Sequence, residues 1–189
     1  VRGTIYSNDG SPLAETKTDE QGNEYRYYPY DELFCHVVGS YDKGQYGLEL
    51  SYKFDLLTTD ASIAQEVVAE LNGQKLHGNS IKTTLDIELQ KACVEALGDY
   101  EGAVVLLDAT TGDILSMVSK PYYNPNDISK LWDDIKTSDK GVLLNRATQG
   151  LYPPGSIFKM FTLGEYIDSH KKSYLDYKYI CNQAKSEVN

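Results

Sequence analysis

GAVVLLDATTGDILSMVS, Gly102 to Ser119, decides how this chain is read. Gly102 to Asp108 is a continuous apolar run bounded by turn residues, and DILSMVS, Asp113 to Ser119, is a second largely apolar run. Ala109-Thr110-Thr111-Gly112 between them can close a β-hairpin. Both runs are too apolar for a sheet with one wet face, so helices are expected to cover the hairpin.

Working outward, Leu85, Leu89, Ala92, Cys93, Ala96 and Leu97 make a stripe at helical spacing, with Asp86 as cap and Gly98 as stop. Cys93 on that stripe reads as a buried free thiol. Pro121 to Asp127 reads as a loop, and Lys130 to Lys140 as a polar segment in which Trp132 anchors a loop edge. Residues 1–82 have another texture: short apolar runs between turns, rich in Tyr, Gly, Asp and Asn. Asn8-Asp9-Gly10 and Gln21-Gly22-Asn23 are turn signals, and Glu24 to Tyr28 alternates like a strand. Leu33 to Val38 reads as a further strand. Asp60 is the expected N-cap of a helix from Ala61 to Leu71, with Gly73 at its C-terminal end.

The 189 residues are 41% hydrophobic and 24% charged, enough apolar material for a packed core. A formal net charge of −10 with scattered Lys and Arg argues against nucleic-acid and anionic-lipid binding. No window reaches 18 uninterrupted apolar residues. Cys35, Cys93 and Cys181 lie far apart, with no C-x-x-C and no Cys/His cluster, so neither zinc nor any other cofactor is expected. His36, His77 and His170 are isolated and read as core or surface residues.

Ser-x-x-Lys occurs three times, at Ser40/Lys43, Ser156/Lys159 and Ser169/Lys172. Composition alone supplies about one such match by chance. Ser40/Lys43 sits in a glycine-flanked turn, and Ser169/Lys172 where a helix runs out into polar residues. Ser156/Lys159 differs. Pro153-Pro154-Gly155 cannot carry a helix into the serine, so Ser156 falls in a first helical turn, where unpaired N–H groups and the helix dipole favour developing negative charge. Residues three apart share a helix face, which brings the Lys159 amine within reach of the hydroxyl. Ile157, Phe158, Met160, Phe161, Leu163, Tyr166 and Ile167 make the helix apolar nearly all round, so it is expected to be buried. Burial disfavours an ammonium, and a neutral amine can act as base toward serine.

At this point the chain resembles a family. NRATQGLYPPGSIFKMF, Asn145 to Phe161, is similar to the active-site helix of penicillin-binding transpeptidases, whose first signature is Ser-x-x-Lys. Arg2-Gly3-Thr4-Ile5 with Gly10 and Leu13-Ala14, RYYPYDELFCHVVG (Arg26 to Gly39) and GQYGLELSY (Gly44 to Tyr52) resemble the start and N-terminal pedestal of class B members. TTLDIELQKA (Thr83 to Ala92) and GAVVLLDATTGDILSMVSKPYYNPN (Gly102 to Asn126) resemble the opening of their transpeptidase domain. The order of segments fits throughout, and the resemblance points to Gram-positive-type elongation or sporulation members.

The resemblance implies a peptidoglycan D,D-transpeptidase. Ser156 would attack the penultimate D-Ala carbonyl of a stem peptide ending in D-Ala-D-Ala, and Lys159 would be the general base. β-Lactams would acylate the same serine. A SEDS-type membrane glycosyltransferase would be the partner, and the extracytoplasmic face of the bacterial cytoplasmic membrane the location. Asn145 and Arg146 would be structural, and packing is the expected job of Tyr152. The family's other signatures, Ser-x-Asn and Lys-Thr-Gly, do not follow Ser156 here. The 189 residues are therefore read as a piece of a longer protein, without anchor helix and inactive alone. A scaffold for a cell-wall synthesis partner and a β-lactam sensor are the alternatives. The expected fold is α+β: a strand-rich pedestal over 1–82, then over 83–189 the start of a transpeptidase domain with helices on an antiparallel sheet.

Overall fold

The computed structural model describes residues 1–178 apart from 44 and 74, so Cys181 lies outside the described residues. The chain opens with β1 (Ile5–Tyr6), β2 (Pro12–Thr18) and β3 (Glu24–Tyr27). β2 runs antiparallel to both neighbours, setting Ala14 opposite Ile5 and Thr16 opposite Arg26. The expected turns form. Asp19 Oδ1, for example, accepts from the N–H groups of Gln21 and Asn23 and so closes the β2–β3 turn.

Leu33 to Val38 is not the strand its composition suggests. A 3-10 turn (Asp31–Phe34) runs into the single-turn helix α1 (Cys35–Val38). The reason is tertiary. Phe34, Val37 and Val38 pack in the main core, while Cys35, which a strand would put on the same face as Val37, enters a second cluster with Tyr123 and Ile128. A helical turn can serve two cores in this way, whereas a strand sorts alternate residues onto two faces. Gly39 ends the turn at φ +86, where a Cβ would lie 1.8 Å from the Tyr46 carbonyl oxygen.

Three helices follow: α2 (Leu48–Ser51), α3 (Lys53–Leu57) and α4 (Ile63–Leu71). The N-cap of α4 is Ser62 rather than Asp60. Ser62 and Gln65 form a capping box, each side chain accepting from the other's backbone N–H, so the helix starts later than expected. β4 (Ile81–Lys82) then joins β1 in parallel, completing a sheet ordered β3-β2-β1-β4. Ile5, Leu13, Ala14, Leu56, Phe34 and Val38 form its core, which Leu85 and Ile87 also enter.

A buried ion network ties this part together. Glu49, wholly buried, accepts from Arg2 Nε and Arg26 Nε, both at 2.7 Å. Arg2 also donates to the Glu49 carbonyl, and Arg26 to the Gly3 carbonyl. The Tyr28 hydroxyl, close to the same carboxylate, accepts from the Tyr41 N–H.

Helix α5 (Ile87–Leu97) starts on Asp86, which accepts from the Leu89 N–H, and stops at Gly98. Its buried face differs from the predicted stripe: Ile87 and Gln90 are buried, Ala92 and Ala96 are exposed, and Cys93 is half-buried. The buried amide accounts for the rotation. Gln90 donates to the carbonyls of Leu33 and Met117 and accepts from the Ser116 hydroxyl and the Met117 N–H. Full pairing makes this position cheaper to bury than its polarity implies.

The hairpin forms as read. β5 (Gly102–Leu107) pairs antiparallel with β6 (Ile114–Lys120), and Asp108 Oδ1 accepts from the Thr110 and Thr111 N–H groups in the connecting turn. Cover is uneven: Ser116 to Ser119 are buried, whereas Val105 and Leu107 are exposed. The polar segment after the loop is helical, α6 (Ile128–Lys136). Ile128, Trp132 and Ile135 pack on the Cys35–Tyr123 cluster, so Trp132 is part of a helix face rather than a loop edge. The short α7 (Arg146–Gln149) follows.

Residues 1–150 make one compact unit and residues 151–189 a second. Within the second, a 3-10 turn (Gly155–Phe158) runs directly into α8 (Lys159–Ser169), and another 3-10 turn spans Tyr174–Asp176.

Candidate active site

The local geometry at Ser156 follows from its neighbours. Residues 151–154 have no regular structure, in keeping with the two prolines. Gly155 takes φ +54, a left-handed conformation suited to glycine, and the Ile157 N–H closes the turn on the Pro154 carbonyl. Ser156 is thus in the first helical turn, and Lys159 opens α8 three residues later. Among the described residues no hydrogen bond joins the Ser156 hydroxyl or the Lys159 amine to another group.

The expected burial is not found. Ser156 and Lys159 are exposed, Ile157, Phe158, Met160, Phe161 and Leu163 are 57–69% exposed, and no α8 residue is buried. Phe158 and Phe161 meet only side by side, with ring centroids 5.7 Å apart. The apolar environment that would favour a neutral Lys159 is therefore absent among the described residues. The helix forms on local signals; its burial needs a partner surface that the described residues do not supply.

The other Ser-x-x-Lys pairs are accounted for. Ser40 is buried in a bridge to Tyr46 and Lys43 is exposed. Ser169 donates to Glu165 on the exposed end of α8. His77 and His170 are exposed.

His36 is the group whose placement the sequence did not show. It is buried, with Nε2 2.8 Å from the Val142 carbonyl oxygen and Nδ1 3.3 Å from Cys35 Sγ. A carbonyl can only accept, so Nε2 carries the proton and Nδ1 faces the thiol as acceptor. Desolvation pushes the imidazole below its ordinary value, opposed by the Val142 contact, and pushes the Cys35 thiol well up. Both groups are consequently neutral. Asn145 caps α7 by accepting from the Ala147 N–H and donates to the His36 carbonyl. No periodicity or motif links residues 36, 142 and 145, so no signal in the sequence could have found this cluster. Among the described residues no group of His, Cys, Asp and Glu is placed to hold a metal ion.

Comparison with known proteins gives two consecutive family matches. Residues 2–81 match the penicillin binding protein A dimerisation domain, and residues 102–183 the penicillin binding protein transpeptidase domain. The peptidoglycan D,D-transpeptidase MrdA of Acinetobacter baumannii is 36% identical over 170 residues, covering 71% of this chain and 25% of that protein. The peptidoglycan D,D-transpeptidase PbpA of Mycolicibacterium smegmatis is 31% identical over 177 residues, covering 85% and 36%. The chain thus spans about a quarter to a third of these relatives' lengths. Penicillin-binding protein A from M. tuberculosis, solved as an imipenem acyl-enzyme, superposes with a TM-score of 0.79 at 28% identity, over 89% of this chain and 42% of that one. The D,D-transpeptidase domain from Eggerthella lenta gives a TM-score of 0.74 at 34% identity, over 89% and 37%. The chain belongs to the class B penicillin-binding-protein transpeptidases, with a dimerisation-domain sheet followed by the start of the transpeptidase domain.

Proposed function

We propose that Ser156 is the acyl-accepting nucleophile of a peptidoglycan D,D-transpeptidase and Lys159 its general base. One observation carries this: Ser156 sits in a helical turn set by Pro-Pro-Gly, with Lys159 three residues on, inside the stretch matched by the transpeptidase model. In the reaction, the serine oxygen bonds to the penultimate D-Ala carbonyl carbon as its proton passes to the Lys159 amine. The tetrahedral intermediate collapses, the C–N bond to the terminal D-Ala breaks, and that D-Ala leaves as the amine carrying the proton. An amine from a neighbouring stem then attacks the ester and frees the serine. A β-lactam amide would open on the same oxygen.

The exposed apolar surface of α8 supports the further reading that residues 1–189 alone do not turn over. The apolar residues around Lys159 are uncovered among the described residues, and the 189 residues contain no Lys-Thr-Gly to complete an oxyanion site. We assign 1–82 to the pedestal and 83–189 to the opening of the catalytic domain. The elongation or sporulation role, the SEDS-type partner and the extracytoplasmic membrane location belong to this reading; among the described residues no helix is long and apolar enough to cross a membrane. Exposed apolar residues on the pedestal helices, Phe54, Ile63 and Leu71, favour a second reading in which the pedestal is also a partner scaffold.

The test is labelling by a fluorescent penicillin. The complete polypeptide carrying these residues is expected to label stoichiometrically at Ser156, Ser156→Ala not at all, and the 189-residue chain not measurably. Labelling of Ser156→Ala at the unsubstituted rate would refute the assignment.

A further inference from the structure

We propose that a cavity between β2, β3, α2 and α3 binds a phosphate monoester through Arg2, Arg26 and Lys53. The cavity measures about 410 Å³, within the usual range of small-molecule sites. Tyr25, Tyr41 and Leu57 supply its apolar side, and every lining residue belongs to the first compact unit. One group on its wall is not satisfied by the fold. The Arg26 side chain is only 3% exposed. Its Nε donates to Glu49, and its Nη1 donates to the Gly3 carbonyl at 2.7 Å and the Thr16 hydroxyl at 3.3 Å. Nη2 is buried and has no hydrogen-bond partner among the described residues. A buried, charged N–H without an acceptor is costly, so it points to an acceptor that comes from outside these residues.

Charge selects the kind of acceptor. Arg2, Arg26 and Lys53 each bring a positive charge to the cavity wall, and the one carboxylate of Glu49 is shared by both guanidinium groups. Glu24, also on the wall, is paired with Lys75 at 2.6 Å. Lys53 donates to the neutral Gln45 amide at 3.3 Å, and no described carboxylate pairs with it. Val1 lines the cavity too, and its nitrogen donates to the Leu76 carbonyl at 2.7 Å. Any residue ahead of Val1 would make that nitrogen an uncharged amide, so only the side chains are counted. They leave two positive charges uncompensated. A water molecule could satisfy Nη2 but not those charges. A phosphate monoester carries about −1.5 to −2 at pH 7, whereas a carboxylate carries a single charge. Guanidinium and ammonium groups are the side chains suited to phosphate oxygens. The chain as a whole has a formal charge of −10, so general attraction would not gather anions here, and a built site is required. The ester's organic part would lie against Tyr25 and Tyr41, which are 44% and 45% exposed.

The experiment is calorimetric titration of the complete polypeptide carrying these residues with phenyl phosphate at fixed ionic strength. Inorganic phosphate and benzoate are the comparison probes. Phenyl phosphate is expected to bind at one site, more tightly than either. Lys53→Met removes the ammonium and leaves the Arg2–Glu49–Arg26 network in place, and should weaken phenyl phosphate about tenfold or more. A crystal of the complete polypeptide soaked in phenyl phosphate should place a phosphate oxygen within hydrogen-bond distance of Arg26 Nη2, a reading that needs no variant to fold. Absence of binding, an affinity unchanged by Lys53→Met, or water alone at Nη2 overturns the site. Benzoate binding as tightly as phenyl phosphate overturns the choice of phosphate. Binding by the 189-residue chain but not by the complete polypeptide would show that another segment fills the cavity, and it too overturns the proposal.

Discussion

Helices α5 and α8 have the same length, 11 residues each, and contrasting fates. α5 starts on an aspartate cap, ends at a glycine, and buries Ile87 and Gln90 against β6 and the main core. α8 carries Met160, Phe161, Leu163 and Ile167, yet none of its residues is buried and no side chain caps its N-terminus. Hydrophobic content does not by itself place a helix in a core. It states a demand, which is met in one unit by neighbouring elements and unmet in the other among the described residues. The polar Gln90 is buried because every polar contact it needs is in place, and Phe161 is exposed because nothing described faces it.

The contrast can be broken or sharpened by substitution in the 189-residue chain. The largest effect is expected in the packed unit at Glu49. Its replacement by Ala leaves Arg2 and Arg26 buried without their counter-charge and should cost about 3–5 kcal/mol in urea unfolding. A loss under 1 kcal/mol would mean that water or rearrangement satisfies the two guanidinium groups. Next, Ile5→Ala in the core should cost roughly 2–5 kcal/mol, whereas Leu163→Ala on α8 should stay within about 0.5 kcal/mol. Equal losses at the two positions would show that α8 is packed in solution and would remove the contrast. Asp86→Ala deletes the cap of α5 and should cost about 1 kcal/mol, with Asp86→Asn restoring most of it.

The smallest effect is a pH dependence from His36. Its folded value lies below the ordinary 6.5, chiefly through desolvation, so between the two values the unfolded chain binds more protons. Stability is therefore fully present above about pH 6.5 and falls as the pH drops toward the lower folded value. His36→Gln should flatten this part of the stability profile, and a slope unchanged by the substitution would assign it to another group.

Much of the local structure was legible. The turn of the hairpin, the Asp86 and Gly98 limits of α5 and the turn at Ser156 depend on contacts within four residues, which composition and spacing encode directly. The errors share one cause. Leu33 to Val38 has strand composition but forms helical turns because Cys35 and Val37, which would share a strand face, serve different clusters. The Lys130–Lys140 stretch hid most of a helix in which Ile128, Trp132 and Ile135 face one cluster while Leu131 is exposed. At the candidate site, the placement of Ser156 and Lys159 relative to the turn was readable, while the exposure of α8 was not. The His36–Val142–Asn145 cluster joins positions more than 100 residues apart and left no trace in any window.

The order of amino acids alone determined which segments turn, where α5 begins and ends, and that a serine and a lysine share one helix face. Such features are set by steric limits on the backbone and by hydrogen bonds spanning a single turn. Only the tertiary structure decided which faces are buried, that Glu49 gathers Arg2 and Arg26, and that the imidazole of His36 reaches Val142. Burial and long-range pairing depend on surfaces that distant parts of the chain bring together. A sequence window contains one side of each such contact and never both.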